Sequence, residues 1–296
     1  MLEQRQNILI TGGTGSLGSA LARHWYGKHN ITILSREIHK QEALKAELPD
    51  ARFVLTDICD YGKVWSACVG QDILIHAAAL KHVSAGEQNP GEYARVNIFG
   101  SETITRAWQE TSGRKRPALL VSTDKAPNSI NAYGSSKFIA ERLFLAAGYS
   151  AIRYGNVMSS NGSFLPIWQK RIKEGLPIKV RTPSPTRFVL SLEYAVELIE
   201  DALPLSQGFI YVPHGLSAIS VKDVAQSLGA MIEYEPLLPG EKQDEVLIAE
   251  REGAGQASDL LARVVSPEEG DMDRERFCSA TARQMTGEEV LGWLSS

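Results

Sequence analysis

Short apolar runs alternate with helical periodicities through the first half of the chain. Runs at about residues 7–11, 31–35, 52–55, 72–76, 117–122 and 150–154 are too short for helices, and several are apolar at consecutive positions. That is the pattern of strands buried on both faces. Between them, apolar residues recur at helical spacing near 17–27, 38–48, 61–68, 90–112 and 132–147. Strand and helix in alternation predict an α/β fold built on a doubly wound parallel sheet.

After about Asn156 the texture changes. Gly, Ser, Pro and Asn crowd from Gly155 to Pro166 and again from Thr182 to Pro185, which predicts loops. Helices are expected over Leu192–Leu203, 221–230 and 286–294, with a late strand over Phe209–Val212. The expected organisation is a first domain over 1–156, to which 187–212 returns. A smaller, loop-rich C-terminal lobe of 157–186 and 213–296 would sit over the carboxyl ends of the strands, where doubly wound folds bind ligands.

The first strand runs into Thr11-Gly12-Gly13-Thr14-Gly15-Ser16-Leu17-Gly18, and a helical pattern follows from Ala20 to Trp25. Between a strand and a helix, G-x-x-G-x-x-G spacing has a physical use at each glycine. Gly12 permits the tight turn, Gly15 lets backbone approach a pyrophosphate, and Gly18 allows close helix–strand packing. The loop, with Thr14, Ser16 and Leu17, reads as a dinucleotide site of Rossmann type. The second strand ends Thr32-Ile33-Leu34-Ser35-Arg36, with no carboxylate where NAD binders hold the ribose 2′-hydroxyl. Arg36 and Ser35 suit the 2′-phosphate of NADP instead, with Asp57 and Ile58 near the adenine.

A second informative stretch runs from Ser122 to Lys137. An apolar run ending at Val121 delivers Thr123, Asp124 and Lys125, and Tyr133 and Lys137 follow at i, i+4 spacing on one helix face. A phenol has a free pKa near 10 and is a poor base at neutral pH. An adjacent ammonium and a cationic nicotinamide ring would favour the phenolate, so the pair suits removal of a hydroxyl proton as hydride leaves for the cofactor.

Composition narrows the classes. The chain has 296 residues, 43% of them hydrophobic, enough to bury a full core. A formal net charge of −4 gives no basic footprint for nucleic acid, and Arg114-Lys115-Arg116 reads as a solvated loop. Cys59, Cys68 and Cys278 are scattered without metal spacing, which suits a reduced protein and no metal site. No apolar stretch reaches spanning length, and no signal-peptide pattern precedes the first strand, so a soluble, cytoplasmic protein without membrane contact is expected.

Together the glycine loop, Tyr133-x-x-x-Lys137 and Arg153-Tyr154-Gly155-Asn156-Val157 resemble the extended short-chain dehydrogenase/reductases. Ala77-Ala78-Ala79-Leu80-Lys81-His82-Val83, Ser122–Ala126 and Pro239-Gly240-Glu241-Lys242 are similar to the polysaccharide-biosynthesis branch that contains inverting UDP-N-acetylglucosamine 4,6-dehydratases. The gap of nine residues from Asp124 to Tyr133, with Lys125 in place of a glutamate, is the most specific discriminator. The resemblance implies a bound NADP contacted by Ala77, Ala78, Lys81, Tyr133 and Lys137. It implies a nucleotide-sugar partner contacted by Lys81, His82, Asn156, Val157, Arg187, Glu241 and Lys242, and a homo-oligomer formed through the Tyr133 helix and the 90–112 helix.

It also implies roles. Tyr133 takes the C4 hydroxyl proton, Thr123 bonds the C4 oxygen, and Lys137 holds the ribose and the phenolate. Lys125, its pKa lowered by desolvation, removes the C5 proton, and a protonated Asp124 serves the departing C6 hydroxyl. A 4-epimerase would use Tyr133 and the cofactor alone. A non-catalytic dinucleotide sensor would have no need of the Tyr133–Lys137 pair.

Plainer readings stand beside these. Asp124–Lys125 could be a surface ion pair, His76 a satisfied strand-end residue, Lys81-His82 a solvated loop, Arg187 an inter-lobe salt bridge rather than a pyrophosphate clamp, and Trp168 a core residue above Phe164. Departures from the family pattern lie in the lobe: Ser159–Ser163 lacks an expected glycine and arginine, Leu238 replaces an arginine, Asp244 a histidine, and Pro127 falls two residues early.

Overall fold

The computed structural model describes residues 4–113, 116–158, 164–205 and 207–295, so Arg114-Lys115 and the Ser159–Ser163 loop lie outside the described residues. Six strands, β1 (Asn7–Thr11), β2 (Asn30–Ser35), β3 (Arg52–Leu55), β4 (Ile73–His76), β5 (Ala118–Val121) and β6 (Ser150–Ile152), coincide with the six apolar runs. They align in parallel in the order β3-β2-β1-β4-β5-β6. The order reverses between β1 and β4. At that switch point helices leave on opposite faces and a crevice opens beyond the strand ends.

Alternation within the strands feeds a core on each face. Ile8 and Ile10 of β1 pack with Leu21, Trp25 and Ile33, whereas Leu9 packs on the other side with Leu74, Ile104, Trp108 and Phe144. Helices Ser16–Trp25 and Leu192–Ala202 cover the first face, and Tyr61–Cys68, Gly100–Ser112 and Ala132–Ala146 the second.

The chain beyond β6 is more regular than its loop-rich composition suggests. β7 (Asn156–Val157), β8 (Ile178–Thr182) and β9 (Thr186–Leu190) are followed by β10 (Ile210–Pro213), which joins β6 in parallel. β11 (Ala218–Ser220) and β12 (Ile232–Pro236) precede β13 (Gly253–Gln256) and β14 (Leu261–Val265). The last two extend the main sheet antiparallel beyond β10, giving nine strands among the described residues. They come from the stretch assigned to the lobe by sequence, and they are drawn back because β10 would otherwise present an open, apolar sheet edge.

The lobe itself is held by two small sheets, β11-β9-β7 and β12-β8, around a third core of Met158, Leu165, Trp168, Ile178, Val180, Ile219 and Val290. A helix, Phe164–Lys173, begins inside the expected loop, and Trp168 is a core residue of it. The helix expected over 90–112 is present and continuous, with a π-helical stretch, Ala94–Phe99, between Pro90–Tyr93 and Gly100–Ser112.

Candidate active site

A cleft of about 750 Å³ crosses the carboxyl ends of β1, β4, β5 and β6, continuous with a smaller pocket of about 170 Å³ at the end of β2. The smaller pocket is lined by Gly12, Thr14, Gly15, Ser35, Arg36, Asp57, Ile58, Ala77 and Ala78, and Ser16, Leu17 and Gly18 continue into the larger one. Gly12 has φ +67°, and a Cβ there would stand 2.7 Å from the Ala78 amide nitrogen, so only glycine lets the loop pass the end of β4. Helix Ser16–Trp25 starts at Gly15 with no side-chain cap and no acidic residue in its first turn. Its amino end, facing the cleft, is therefore suited to an anion such as a pyrophosphate.

At the end of β2, Arg36 is half exposed and lies 4.0 Å from Glu92. Glu37 is paired with Lys40 at 2.8 Å, so the carboxylate nearest the strand end is neutralised. Asp57 is bound by Arg95 at 3.0 Å; that bond and the Cys59 amide outweigh burial and hold its carboxyl below the usual range. Sequence reasoning missed Arg95. It also missed Asn97, whose side-chain amide both donates to and accepts from the Leu80 backbone and donates to Ser136. The π-helical turn presents Asn97 there and fixes the Ala77–Leu80 wall of the cleft.

Thr123, Lys125, Tyr133, Lys137, Lys81, His82, Asn156, Val157 and Glu241 line the larger cleft. The Tyr133 helix, Ala132–Ala146, is capped by Asn131, which accepts from the Gly134 amide at 2.7 Å. A Cβ on Gly134 would fall 2.2 Å from the Lys125 carbonyl oxygen, so this glycine lets the 123–131 loop lie against the helix and brings Lys125 to Tyr133. The phenol is pushed up to about 12 by burial, against the opposing pull of a hydrogen bond with Thr123 and the charge of Lys125. Lys125 is thus one cation whose charge favours the phenolate. Burial lowers Lys137 to about 8, although Glu141 one turn on pulls the other way. Lys81 is lowered by burial as well.

Lys125 departs from the sequence expectation. Burial alone would lower its pKa, but Asp124 and Glu245 outweigh burial and the ammonium is held well above its ordinary range. Its Nζ lies 2.9 Å from Asp124 Oδ1, 3.2 Å from Asn156 Oδ1 and 3.5 Å from Glu245 Oε1. Asp124 has no exposed surface; its Oδ1 also accepts from Thr123, while its Oδ2 has no hydrogen-bond partner.

Arg187 and Lys242 lie behind this cluster rather than on the cleft wall. The Arg187 guanidinium donates to the carbonyl oxygens of Thr186, Gln243 and Lys242, pinning the 242–243 backbone, and forms no salt bridge among the described residues. Lys242 Nζ donates to the Pro127 carbonyl at 2.7 Å and lies 3.6 Å from Glu245 Oε2. Asp244 accepts from the Thr186 hydroxyl. Glu241 pairs with Arg181 at 3.1 Å.

Two further buried groups stand out. His76 bridges Thr11 and Ser101 and stacks on Phe144, and burial lowers it to about 3, so it is a neutral structural residue. Arg153, wholly buried, makes paired bonds to Glu141 and to Glu252, and Glu141 also accepts from Ser122 at 2.5 Å. Glu141 belongs to the Tyr133 helix and Glu252 to the segment before β13, so the network ties them together through β6. Among the described residues, no helix is long and apolar enough to cross a membrane. Among them too, no group of three or more His, Cys, Asp or Glu side chains is placed to hold a metal ion.

A doubly wound sheet, a glycine turn at its switch point and a Tyr–Lys pair at the far end of one cleft define a short-chain dehydrogenase/reductase. The signature of the family described as polysaccharide biosynthesis protein matches residues 8–270, and the chain belongs to that family, among the nucleotide-sugar dehydratases and epimerases. An inverting UDP-N-acetylglucosamine 4,6-dehydratase of Campylobacter jejuni is 32% identical to it, over 97% of this chain and 90% of the relative. A UDP-glucose 4-epimerase of Rickettsia bellii is 34% identical, over 86% and 81%. The X-ray structure of Pen from Bacillus thuringiensis superposes with a TM-score of 0.90 at 28% identity, covering 100% of this chain and 98% of that one.

Proposed function

We propose that the protein is a C5-inverting nucleotide-sugar 4,6-dehydratase acting on UDP-N-acetylglucosamine or a related UDP-hexose with bound NADP. The observation that carries this reading is Lys125 on the cleft wall beside Tyr133, backed by Asp124. Oxidation at C4 needs only the tyrosine; an acid–base pair next to it serves a second site on the sugar.

The glycine turn and the Ser16–Trp25 helix end would hold the pyrophosphate of the cofactor, with Arg36 and Ser35 on the 2′-phosphate and Lys137 on the nicotinamide ribose. The cofactor supplies a hydride acceptor that later returns the hydride. Tyr133, bonded to Thr123, takes the C4 hydroxyl proton, and the resulting ketone acidifies the C5 hydrogen. Lys125, as the free amine, removes that hydrogen; Asp124 gives a proton to the C6 oxygen as it leaves as water. A proton returns to C5 on the opposite face. Lys81, His82, Asn156, Val157 and Glu241 contact the nucleotide sugar, and Arg187 and Lys242 act by holding the loop that carries Glu241.

The relative named as an epimerase favours a second reading, 4-epimerisation. Turnover of UDP-N-acetylglucosamine in deuterium oxide separates the two. The dehydratase incorporates deuterium at C5 and yields a 4-keto, 6-deoxy sugar, and Lys125→Ala still oxidises C4 but loses the C5 exchange. An unlabelled product inverted only at C4 overturns the proposal.

A further inference from the structure

The proposed chemistry requires Lys125 as a free amine, yet the fold presents it as a firmly held ammonium. Resting on the dehydratase reading, we infer that Glu245 is the group that receives the Lys125 proton and so arms the amine for removal of the C5 hydrogen.

The placement of Glu245 is specific. It is 2% exposed, on the segment that follows the Pro239–Lys242 turn, and its Oε1 lies 3.5 Å from Lys125 Nζ. Its backbone is fixed from both sides by Ser279: the Glu245 amide donates to Ser279 Oγ at 2.8 Å, and the Ser279 amide donates to the Glu245 carbonyl at 2.9 Å. Ser279 is tied in turn to the Thr186 hydroxyl. The carboxylate is therefore delivered to Lys125 by three separate stretches of chain: its own segment, Ser279 and Thr186.

Two carboxylates compete for one ammonium. Each carboxylate has one oxygen without a hydrogen bond, but Asp124 has the shorter contact to Lys125 and a second donor in Thr123, whereas Glu245 has only Lys125 at 3.5 Å and Lys242 at 3.6 Å. The charged groups around Glu245 are Lys125 and Asp124 from the loop after β5, Arg187 from β9, and Lys242 from its own segment. Burial and the charge of Asp124 push the Glu245 carboxyl up, against the three cations. Glu245, raised in this way and without a hydrogen bond at Oε2, is placed to accept the proton. The step is balanced: the N–H bond of the ammonium breaks, an O–H bond forms on Glu245, and an ion pair becomes a neutral amine beside a neutral acid. This exchange leaves less charge in a buried site when the sugar covers the cleft. Removal of the C5 hydrogen then restores the ammonium, which passes a proton through Asp124 to the departing C6 oxygen; Glu245 returns its own proton to Lys125, and the cycle closes.

The test is C5 deuteration of UDP-N-acetylglucosamine in deuterium oxide, followed with C4 oxidation over about pH 6.5 to 8.5. Wild type is expected to exchange at a nearly level rate, because the proton moves within the cluster. Glu245→Gln keeps the shape and cannot accept the proton. It is expected to slow exchange about 100-fold near neutrality, with a rate that climbs about tenfold per pH unit as Lys125 loses its proton to water instead. C4 oxidation should fall far less than exchange, by no more than about tenfold, since Glu245 reaches the C4 oxygen's partners only through Lys125. Glu245→Asp restores an acceptor and should return the level profile at reduced rate. Glu245→Gln exchanging like wild type overturns the inference, as does parallel loss of both steps at every pH, or a Glu245→Asp profile as steep as that of the amide. Wild type that never labels C5 overturns the dehydratase reading itself, which keeps the two failures apart.

Discussion

The two ends of the cleft are made of different material. At the end beside the glycine turn the lining includes Gly12, Gly15, Ser35 and Ala77–Ala79, small residues from β1, β2, β4 and the turns that follow them. At the Tyr133 end long side chains dominate, and the Lys125 cluster draws on Thr123–Lys125, Asn156, Arg187, Lys242–Glu245 and Ser279. A backbone cradle tolerates most side-chain changes and depends on a few positions where no Cβ fits. A buried charge cluster behaves as a unit, because removing one member leaves the others buried without their counter-charge.

Three substitutions probe that contrast. Tyr133→Phe removes the proton acceptor and keeps the ring. C4 oxidation, read as transient reduction of bound NADP, should fall about 1,000-fold while cofactor affinity stays within about twofold. Near-normal oxidation by this variant would show that another base operates. Gly12→Ala strains the turn and collides with the end of β4; titration calorimetry should give a cofactor affinity about 10- to 100-fold weaker, with C5 exchange retained at saturating NADP. A loss of exchange at saturation would mean that the two ends are not separable. Arg36→Ala should weaken NADP about tenfold and leave NAD unchanged, the scale of one half-exposed charge-assisted hydrogen bond. An equal effect on both cofactors would place Arg36 away from the 2′-phosphate.

The same contrast explains what could be read in advance. The glycine turn, the Tyr–Lys spacing and the parallel strands are local: their signals fall within ten or twenty residues, and β1 to β6 lie where the apolar runs place them. β13 has the sequence Gly253-Ala254-Gly255-Gln256, which carries no strand propensity and becomes a strand only because β14 offers it an edge. β12 is half polar and is defined by its pairing with β8, more than fifty residues away.

Glu245 illustrates the limit at the site. Its motif neighbours Pro239–Lys242 were legible, yet nothing local marks a carboxylate that meets Lys125 from 120 positions later. One signal was available. The apolar run Val246-Leu247-Ile248 follows directly, and a glutamate leading such a run is carried inside with it, where it needs a cation. The raised pKa of Lys125 was hidden for the same reason: desolvation was foreseeable from the loop, and the second carboxylate was not.

The latch formed by Glu141, Arg153 and Glu252 has a consequence for anyone recombining this protein with its relatives. Sugar preference invites exchange of the C-terminal portion, with a junction after β10 as a natural choice. Such a swap would import the donor's sequence opposite Arg153, since Glu252 and the Leu247 carbonyl both lie beyond that junction. A chimaera lacking the matching carboxylate would bury a guanidinium with half its partners, at a cost of about 3–5 kcal/mol. Compatible donors are therefore those that bring their own acid to this position, and checking for it is a cheaper screen than expressing the library.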